Sequence, residues 1–596
     1  MRLALGVALL VLLFGSRAAA RPAEPTGFER QTVKECAARL GITSEVEPAP
    51  DGKTIERVDV VVLDVFDEHD PIPDWFNIFH TMSRETVIRR ELLFTSGQRY
   101  ATRRSDESAR NLRTLRQVSL VMIVPFAGSA PDRVRVVVIV RDVWSLRLNT
   151  SFSFGNKGLN NLLINPAEEN LAGLHLSVGA LFVLDPGSYS LGGVVTQHRI
   201  LGTDLEGEFS ANVIYGRASG AAEGSFGYFS YGEPLRHTEQ RWSYGIGGYW
   251  RSEMARRFSS TGVPQLYDDP LTATPEAIPV EYHAERYIGG YELIRSFGHS
   301  SKYDVSLGFQ GDRRAYRHDL RPGVSAEAEA SFQKEFIPVS DTRMGPFAQL
   351  RTHDERYLRT SELETLGLEE DYRLGPEVLL VVYPSSTLLG SSRNFLGLVT
   401  GASWSQAVGD GLLRLLGQNR VEYAEDGRND ADAIAQLRFT TPKLGIGRVT
   451  VDGLVHDRYL NYLNRQFDLG GDSRLRGYPT AGFQGSSRGP LAVAVNTEFR
   501  TRSIDILSAQ TGLAAFYDVG GASHDFEGLF LRQSAGVGVR ILFPQADRTV
   551  LRVDWAFPFT PAPGYSTFPG TYYITFDQAF PMPALPTPTV TSPDTR

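Results

Sequence analysis

An alternation of apolar and polar residues, repeated from residue 144 to residue 580, constrains the fold more than any other feature of this chain. A period of two places successive side chains on opposite faces of a β-strand. In the clearest segments the charges fall on one face, so each strand has an apolar face and a polar face. These segments are residues 491–500, 513–519, 536–541, 551–557 and 572–577. The pattern predicts an all-β domain whose strands lie between an apolar and a polar environment.

The apolar faces indicate that this environment is lipid. No apolar stretch of the chain reaches the ~20 residues that a membrane-spanning helix needs. Strands that cross a membrane must close into a barrel, because an open sheet leaves backbone groups unpaired in lipid. A charge on the lipid face near the midplane costs roughly 2–4 kcal/mol, so the charged faces are expected to line the lumen. We predict an antiparallel transmembrane β-barrel over residues 143–580, with a large soluble β-sandwich or propeller as the alternative.

The composition argues against several functional classes. The 596 residues carry 61 Lys and Arg against 69 Asp and Glu, and a net charge of -8 argues against nucleic acid as a partner. The 58 glycines, 24 tyrosines and 33 phenylalanines suit a barrel with many turns and aromatic rims. Cys36 is the only cysteine, so no internal disulfide can form, and a small buried apolar residue is expected there. The histidines are scattered and no cofactor motif occurs, so we expect no metal and no cofactor.

Both ends of the chain differ in composition from the barrel. Residues 1–20 have the pattern of a cleavable signal peptide, with Arg2, an apolar stretch at 3–15 and three alanines at 18–20. Residues 21–54 are a polar segment with a short helical pattern at 28–40. Residues 581–596 are rich in Pro and Thr and cannot continue a strand, so they are predicted to form a tail.

Residues 55–142 are predicted to form a small α/β domain in front of the barrel. Val58, Val60 and Val62 share one face of a β-branched run. Ser83 and Ser105 are candidate caps of two helices with apolar residues at helical spacing. Two more strands are predicted at 118–125 and 134–140. The predicted order is therefore strand, helix, helix, strand, strand.

A long loop between residues 462 and 490 interrupts the strand pattern, and residues 469–479 read LGGDSRLRGYP. Its glycines allow sharp turns and a close approach to another surface. Arg476 carries a planar guanidinium with five donors. Glu498 and Asp518 lie on the predicted lumen faces of strands that follow the loop. An arginine paired with two carboxylates in a narrow lumen would hold the loop folded inside the barrel.

With these motifs the sequence resembles the BamA/TamA superfamily of outer-membrane assembly and translocation barrels, and residues 55–142 resemble one POTRA (polypeptide-transport-associated) domain. Three motifs match the inward-folded loop and its partner strands, namely Leu475-Arg476-Gly477-Tyr478, Asn496-Thr497-Glu498-Phe499 and Phe516-Tyr517-Asp518-Val519-Gly520. The end of the barrel resembles the family's C-terminal strand signal, with Tyr572, Ile574, Phe576 and the closing aromatic Phe580.

The resemblance implies a 16-stranded barrel in which five strands follow the loop. More strand candidates precede the loop than the eleven that such a barrel needs. Some of the candidates within residues 345–385 are therefore expected to be hairpins of a loop rather than strands of the wall.

The resemblance also implies a non-enzymatic function, namely insertion or translocation of unfolded outer-membrane or secreted proteins. Clients would meet the POTRA domain in the periplasm and then a weak seam between the first strand (about 145–154) and the last (572–580). The implied partners are the outer-membrane lipid bilayer, these clients and periplasmic accessory proteins. The G-x-S-x-G pattern at 485–489 lies in a loop rather than in a strand-turn-helix, so no enzyme is expected.

Two alternatives remain open from the sequence. One is a two-partner secretion translocator that exports one dedicated protein, with the helical pattern at 28–40 as its plug helix. The other is a passive porin or surface antigen.

Overall fold

The computed structural model describes residues 27–66, 73–155, 158–259, 262–268, 277–319, 322–507, 509–546, 548–563, 565–580 and 582–585. The predicted signal peptide lies outside the described residues, and so does the predicted tail apart from residues 582–585. In these ranges no helix combines the length and the apolar character needed to cross a membrane.

The N-terminal part is a three-stranded sheet covered by helices on both faces. Its elements are α1 (Gly27–Arg39), β1 (Thr54–Leu63), a 3-10 helix (Asp74–Phe79), α2 (Glu85–Arg90), α3 (Thr102–Thr114), β2 (Val118–Ala127) and β3 (Arg133–Asp142). After α1, strands and α-helices follow the order predicted from the sequence. The sheet order is β1-β3-β2, with β1 parallel and β2 antiparallel to β3.

The central strand β3 explains why the run VRVVVIV contains so few polar residues. Val136 and Val138 pack against Ile88 of α2 and Leu112 of α3. The intervening residues of β3 pack on the other face against Cys36 and its neighbours in α1. Because both faces of β3 are covered, the strand is apolar on both. Cys36 is a buried free cysteine, as expected, and burial raises the pKa of its thiol.

The remaining strands close into a barrel. In chain order the strands, with one helix among them, are β4 (Leu146–Gly155), β5 (Gly158–Leu171), β6 (Leu176–Leu184), β7 (Ser188–Gln197), β8 (Glu206–Gly216), β9 (Ala222–Glu233), β10 (Trp242–Arg256), β11 (Leu266–Tyr267), β12 (Ile278–Pro279), β13 (Glu281–Phe297), β14 (Ser301–Arg317), α4 (Ala326–Phe336), β15 (Asp341–Asp354), β16 (Arg356–Ser361), β17 (Glu369–Ser385), β18 (Phe395–Val408), β19 (Gly411–Ala424), β20 (Asp430–Thr440), β21 (Gly447–Asn461), β22 (Phe467–Leu469), β23 (Ser487–Gly489), β24 (Leu491–Thr501), β25 (Ile504–Ile506), β26 (Ala509–Ser523), β27 (Arg532–Leu542), β28 (Leu551–Pro558) and β29 (Thr571–Phe576). The pairs β11–β12 and β22–β23 are separate small sheets.

Over the described residues the barrel has 20 antiparallel strands, so the expectation of 16 strands is wrong. In this count β15 with β16, and β24 with β25, each occupy one position in the wall. Five strands follow the loop, as expected, and the surplus precedes it. The segment 345–385, which was expected to include loop hairpins, contributes β15 and β17 to the wall. Both are long enough to pair fully with their neighbours.

The side-chain alternation sets the two faces of the wall as the sequence predicts. In β24, Asn496, Glu498 and Arg500 are buried towards the lumen, whereas Val495 faces outwards. The other strands after the loop show the same division, and Leu513 and Val537 are among their exposed outward residues. The N-terminal domain packs against the turns at one end of the barrel, here named the near end. The opposite end is the far end.

The barrel closes between its last and first strands, and this closure is short. Residues 572–574 of β29 pair with residues 152–154 of β4. On its other side β29 pairs with β28 along residues 571–576. The last strand was expected to run to Phe580, but it ends at Phe576. Asp577 has a φ of +71°, which turns the chain out of the strand direction, and Phe580 is fully buried inside the barrel.

Candidate functional site

The long loop between β21 and β24 folds back into the lumen, and its glycines permit the turn. Gly470 has a φ of +150°, and a Cβ on it would lie 1.9 Å from the carbonyl oxygen of Pro479. Gly477 has a φ of +90°, a region that residues with a side chain rarely adopt. These two conformations bring the segment between them against the lumen faces of the strands that follow the loop.

Arg476, at the tip of this segment, is completely buried. Its Nε and Nη2 donate to the two carboxylate oxygens of Asp518, at 2.8 and 3.0 Å. Its Nη1 donates to Glu498 Oε2 at 2.9 Å. The guanidinium therefore makes a bidentate contact with one strand and a single contact with the next. Such charge-assisted contacts are strong and directional in a water-poor site.

A third carboxylate, which the sequence pattern did not single out, completes the site. Asp554 of β28 accepts from Arg476 Nη1 at 3.0 Å. Asp554 also accepts from Arg540 at 2.6 Å and from Arg552 at 2.7 Å. We use the name clasp for the set formed by Arg476, Glu498, Asp518 and Asp554.

Further arginines balance the charge of the clasp. Glu498 accepts from Arg500 Nε at 2.8 Å and from Arg540 Nη2 at 3.1 Å. The three carboxylates therefore face four guanidiniums, those of Arg476, Arg500, Arg540 and Arg552. Removing a buried charge from such a network leaves its partners uncompensated, which costs more than the pair contributes.

The aromatic side of the clasp comes from the Phe516 motif. The guanidinium carbon of Arg476 lies 3.4 Å from the centroid of the Phe516 ring, a cation–π contact. The ring fits because Gly536 on the neighbouring strand has no side chain, and a Cβ there would lie 2.2 Å from it. Gly520 of the same motif allows a close backbone approach, since its Cβ would be 3.0 Å from the carbonyl oxygen of Val493.

The other residues of the loop motif tie the loop to the last strands. Leu475 is fully buried. The backbone N–H of Gly477 donates to the hydroxyl of Tyr573 at 3.0 Å, and the Tyr478 hydroxyl donates to the carbonyl of Gln533 at 2.9 Å. Tyr573 belongs to β29, so the loop contacts the strand that closes the barrel. The sequence placed Tyr573 on the lumen face but gave it no role.

The residues of the expected terminal signal do not act as one group. Tyr572, Ile574 and Phe576 lie on the outward face of β29. Phe580 lies in the lumen, apart from them, where the guanidinium carbon of Arg438 is 5.1 Å from its ring centroid.

A comparison with protein-family models matches one part of the barrel. Residues 438–576 match the family model described as the Omp85 superfamily domain. This part of the chain is similar to the Omp85 superfamily domain. The matched range begins in β20 and ends with the last residue of β29, so the Omp85 domain contains the loop and the whole clasp. The resemblance to the BamA/TamA superfamily is thereby confirmed, and an Omp85-type barrel indicates a location in the outer membrane.

Several solved structures are similar to this chain. BamA from Haemophilus ducreyi lacking POTRA domains 1–3 is 12% identical, with 97% of this chain and 97% of that chain covered and a TM-score of 0.32. CdiB from Acinetobacter baumannii is 10% identical, with coverages of 97% and 86% and a TM-score of 0.39. CdiB from Escherichia coli is 10% identical, with coverages of 93% and 85% and a TM-score of 0.43. Because these TM-scores are low, the resemblance to the BamA/TamA superfamily rests on the Omp85 match. A sequence comparison with curated proteins found no match.

A second polar site joins the N-terminal domain to the near end of the barrel, and we name it the junction. His80 Nε2 lies 3.2 Å from Asp142 Oδ2, and the Ser83 N–H donates to the same oxygen at 2.6 Å. Ser83 Oγ lies 2.7 Å from Nε2 of His175, which is in the turn between β5 and β6. Burial lowers the pKa of His175 to about 4.

Charged residues extend the junction along the near end. Glu91 of the domain is paired with Arg199 and lies 3.7 Å from His198, both in the turn after β7. Burial alone would raise the pKa of Glu91, but these two partners lower it to about 2. Glu107 of α3 accepts from the N–H of Thr238 at 2.6 Å. Three of the scattered histidines, His80, His175 and His198, thus meet at one interface. Among the described residues, no group of three or more His, Cys, Asp or Glu side chains is arranged to hold a metal ion.

Proposed function

We propose that this Omp85 barrel inserts or translocates other proteins at the outer membrane, without catalysing a reaction. The observation that carries the proposal is the short closure between β29 and β4. Residues 148–151 of β4 pair with β5 on one side but lie beyond the closing ladder on the other. A strand edge with unpaired N–H and C=O groups can pair with an incoming strand.

The clasp lies beside this seam and supports its role. The loop is held to β24, β26 and β28 by Arg476, and it reaches β29 through the contact between Gly477 and Tyr573. The side of the barrel next to the seam is therefore braced from within. In this proposal the clasp keeps β28 and its neighbours fixed while β29 and β4 separate.

The N-terminal domain acts in the proposal as one POTRA domain in the periplasm. Its strand β1 lies at an edge of the sheet, where an extended client segment can add by β-augmentation. The junction with the barrel turns would keep this edge close to the near end. Unfolded clients and periplasmic accessory proteins are the partners that such a surface suits.

The contacts of α1 bear on the alternative of a two-partner secretion translocator. A plug helix would be expected in the lumen, whereas α1 packs on the sheet of the N-terminal domain through Cys36 and Ala37. The folded-in loop argues against a passive porin, because it fills lumen space that a porin keeps open. Insertion or translocation of several clients is the function that these contacts favour.

The seam can be tested with a reversible lock. In a Cys36→Ser background, Phe152→Cys with Ile574→Cys places two cysteines at paired positions across the seam. The matched control pairs Val553→Cys with the same Ile574→Cys, across the neighbouring ladder between β28 and β29. We expect the seam lock alone to reduce the folded outer-membrane proteins of the cell, with recovery on adding a reductant. Equal activity of both oxidised variants would contradict the proposal.

Depletion of the protein identifies what it moves. Loss of several folded outer-membrane proteins indicates insertion, and loss of one secreted protein indicates two-partner secretion. Loss of lipid asymmetry with normal protein levels indicates lipid transport and would overturn the assignment to protein clients.

A further inference from the structure

The chain does not leave the barrel after its last strand but turns into the lumen. The N–H of Asp577 donates to the carbonyl of Val550 at 2.9 Å, which fixes the start of the turn at the near end. The side chain of Gln578 then donates to the carbonyl of Glu364 at 2.7 Å. Residues 578–585 contain no charged side chain. We name residues 577–580 and 582–585 the lumenal tail.

The first anchor of the lumenal tail is Phe580. Its ring lies 5.1 Å from the guanidinium carbon of Arg438 and 5.8 Å from that of Arg500. Arg438 Nη1 also donates to the carbonyl oxygen of Phe580 at 3.1 Å. Arg500 is the residue that donates to Glu498 of the clasp. The tail and the clasp therefore share one arginine.

The second anchor is Leu585, which is buried in an apolar patch of the wall. The patch consists of lumen-facing residues of β15, β17, β18 and β19, namely Phe347, Leu379, Val381, Val399 and Leu416. Leu585 lies so close to Gly401 that a Cβ on this glycine would be 2.9 Å from Leu585 Cδ2. A barrel lumen is normally polar, so an apolar patch there needs an apolar ligand to cover it.

The start and the end of the lumenal tail lie far apart around the barrel. In the strand order β18 is eight positions away from β29, in a barrel of 20 strands. The lumenal tail therefore crosses the lumen from the seam towards the opposite wall. Met582, between the anchors, packs with Leu358 and Leu363 near the turn that joins β16 to β17.

That turn spans the near end beside the tail. Leu363 accepts from Arg500 Nη1 at 2.7 Å through its carbonyl oxygen, and Leu366 packs against Leu542 and Val550. The turn thus reaches from β17 to the strands on either side of the clasp. The tail, which contacts it through Gln578 and Met582, adds to the covering of the lumen at this end.

We propose that the apolar patch and the Arg438–Arg500 pair form a peptide-binding site inside the barrel, and that the lumenal tail is its resting occupant. The ligand class is an extended, uncharged segment with an aromatic residue and an aliphatic residue five positions later. With the tail in place the lumen is blocked. A client segment of this kind opens it by replacing the tail. The replacement of the tail by a client segment rests on the proposed function, whereas the occupation of the site by the tail does not.

Two properties of the tail allow another segment to displace it. Pro581 and Pro583 lack an N–H, and the strands that carry the patch are already paired on both sides, so the tail cannot add to the sheet there. Its affinity comes mainly from burying Phe580 and Leu585. A segment with similar side chains can therefore compete with it.

A disulfide tests where the tail lies. In the full-length Cys36→Ser protein, Leu585→Cys with Gly401→Cys should form a disulfide under mild oxidation, visible as a mobility change on a non-reducing gel. The matched control uses Ala584→Cys with Gly401→Cys, because Ala584 is exposed whereas Leu585 is buried. Equal crosslinking of both pairs, or none with Leu585→Cys, would overturn the placement of the tail.

Conductance in planar bilayers tests the block without any client. Leu585→Asp should expel the tail and raise the single-channel conductance several-fold, while Ala584→Asp, which adds the same charge one residue earlier, should leave it unchanged. Heat-dependent gel mobility verifies that each variant is a folded barrel. Wild-type conductance in folded Leu585→Asp protein would overturn the proposal.

A synthetic peptide with the sequence of residues 577–585 tests the receptor site. Added to the Leu585→Asp barrel, it should lower the conductance again, whereas a peptide with the same residues in scrambled order should not. Equal effects of both peptides would overturn the binding site. This assay uses purified barrel and does not depend on insertion activity. If the peptide binds as expected but the protein shows no insertion activity in cells, the proposed function alone would be contradicted.

Discussion

The clasp and the junction are both buried polar contacts that hold a separate part of the chain to the barrel, but they use different chemistry. The clasp joins the long loop to three strands through the guanidinium of Arg476 and three carboxylates. The junction joins the N-terminal domain to the near-end turns with histidines at its centre, His80 and His175.

This difference in chemistry determines how each contact responds to a change of pH. An arginine stays charged at every physiological pH, so the clasp offers a fixed brace. A histidine changes charge between about pH 5 and 8 when its surroundings allow it. The junction can therefore loosen under conditions in which the clasp does not.

The largest effect is expected from breaking the clasp with Arg476→Ala. This leaves three buried carboxylates short of a partner and should lower the free energy of unfolding by about 3–5 kcal/mol. Urea unfolding of the barrel in lipid vesicles measures the change. The control is Arg502→Ala, which removes an exposed arginine next to β24. Equal free energies of unfolding of the two variants would show that the clasp does not stabilise the barrel.

Arg476→Lys separates charge from geometry. A lysine keeps the positive charge but cannot make the bidentate contact with Asp518 while also reaching Glu498 and Asp554. We expect a loss of about 1.5–3 kcal/mol, the contribution of a hydrogen bond to a charged group. The same urea titration applies. A stability like that of Arg476→Ala would mean that geometry, not charge, accounts for the whole effect.

Most of the clasp was predictable from the sequence because a short motif and the alternation within single strands identify its residues. The loop motif names Arg476, and strand alternation places Glu498 and Asp518 on the lumen face. Alternation gives the face of a side chain but not its height along the barrel axis, which depends on the stagger of the strands. Asp554 was therefore placed on the correct face without being recognised as a contact of Arg476.

The strand number and the junction needed tertiary information. A period of two does not distinguish a hairpin of the wall from a hairpin of a loop, so β15 and β17 were misjudged. The histidines of the junction come from segments far apart in the chain and meet only when the domain packs on the barrel. One unused signal was present for the apolar patch, since residues 378–382 read VLLVV and lack a polar face.

The next effect is the pH dependence of the junction, which the clasp should not share. Burial lowers the pKa of His175 from 6.5 to about 4, although Asp142 and Glu91 nearby favour its protonated form and His198 opposes it. The undocked imidazole, with its ordinary pKa, binds a proton first. Docking of the domain should therefore weaken as the pH falls below about 6.5, with the loss complete below about 4.

The size of this effect follows from the same values. Between pH 6.5 and pH 5 docking should lose about 2 kcal/mol. Hydrogen exchange of residues 80–91, corrected for the intrinsic pH dependence, measures the loss. His175→Gln keeps a polar group near Ser83 but cannot be protonated, so its exchange should change little with pH. The same pH response in both proteins would assign it to another group.

The smallest effect is expected at the exposed rim of the junction. Arg104 pairs with Glu239 at 3.0 Å, but both side chains are more than a third accessible to solvent. Water and salt screen such a pair, so Arg104→Ala should weaken docking by less than about 1 kcal/mol, and by less still at high salt.

Arg113 pairs with Asp371 at 2.6 Å and its side chain is only 7% exposed. Arg113→Ala should therefore cost more and depend less on salt. The same exchange measurement at low and high salt ranks the two variants, and a larger loss for Arg104→Ala would mean that burial does not determine which contacts hold the domain.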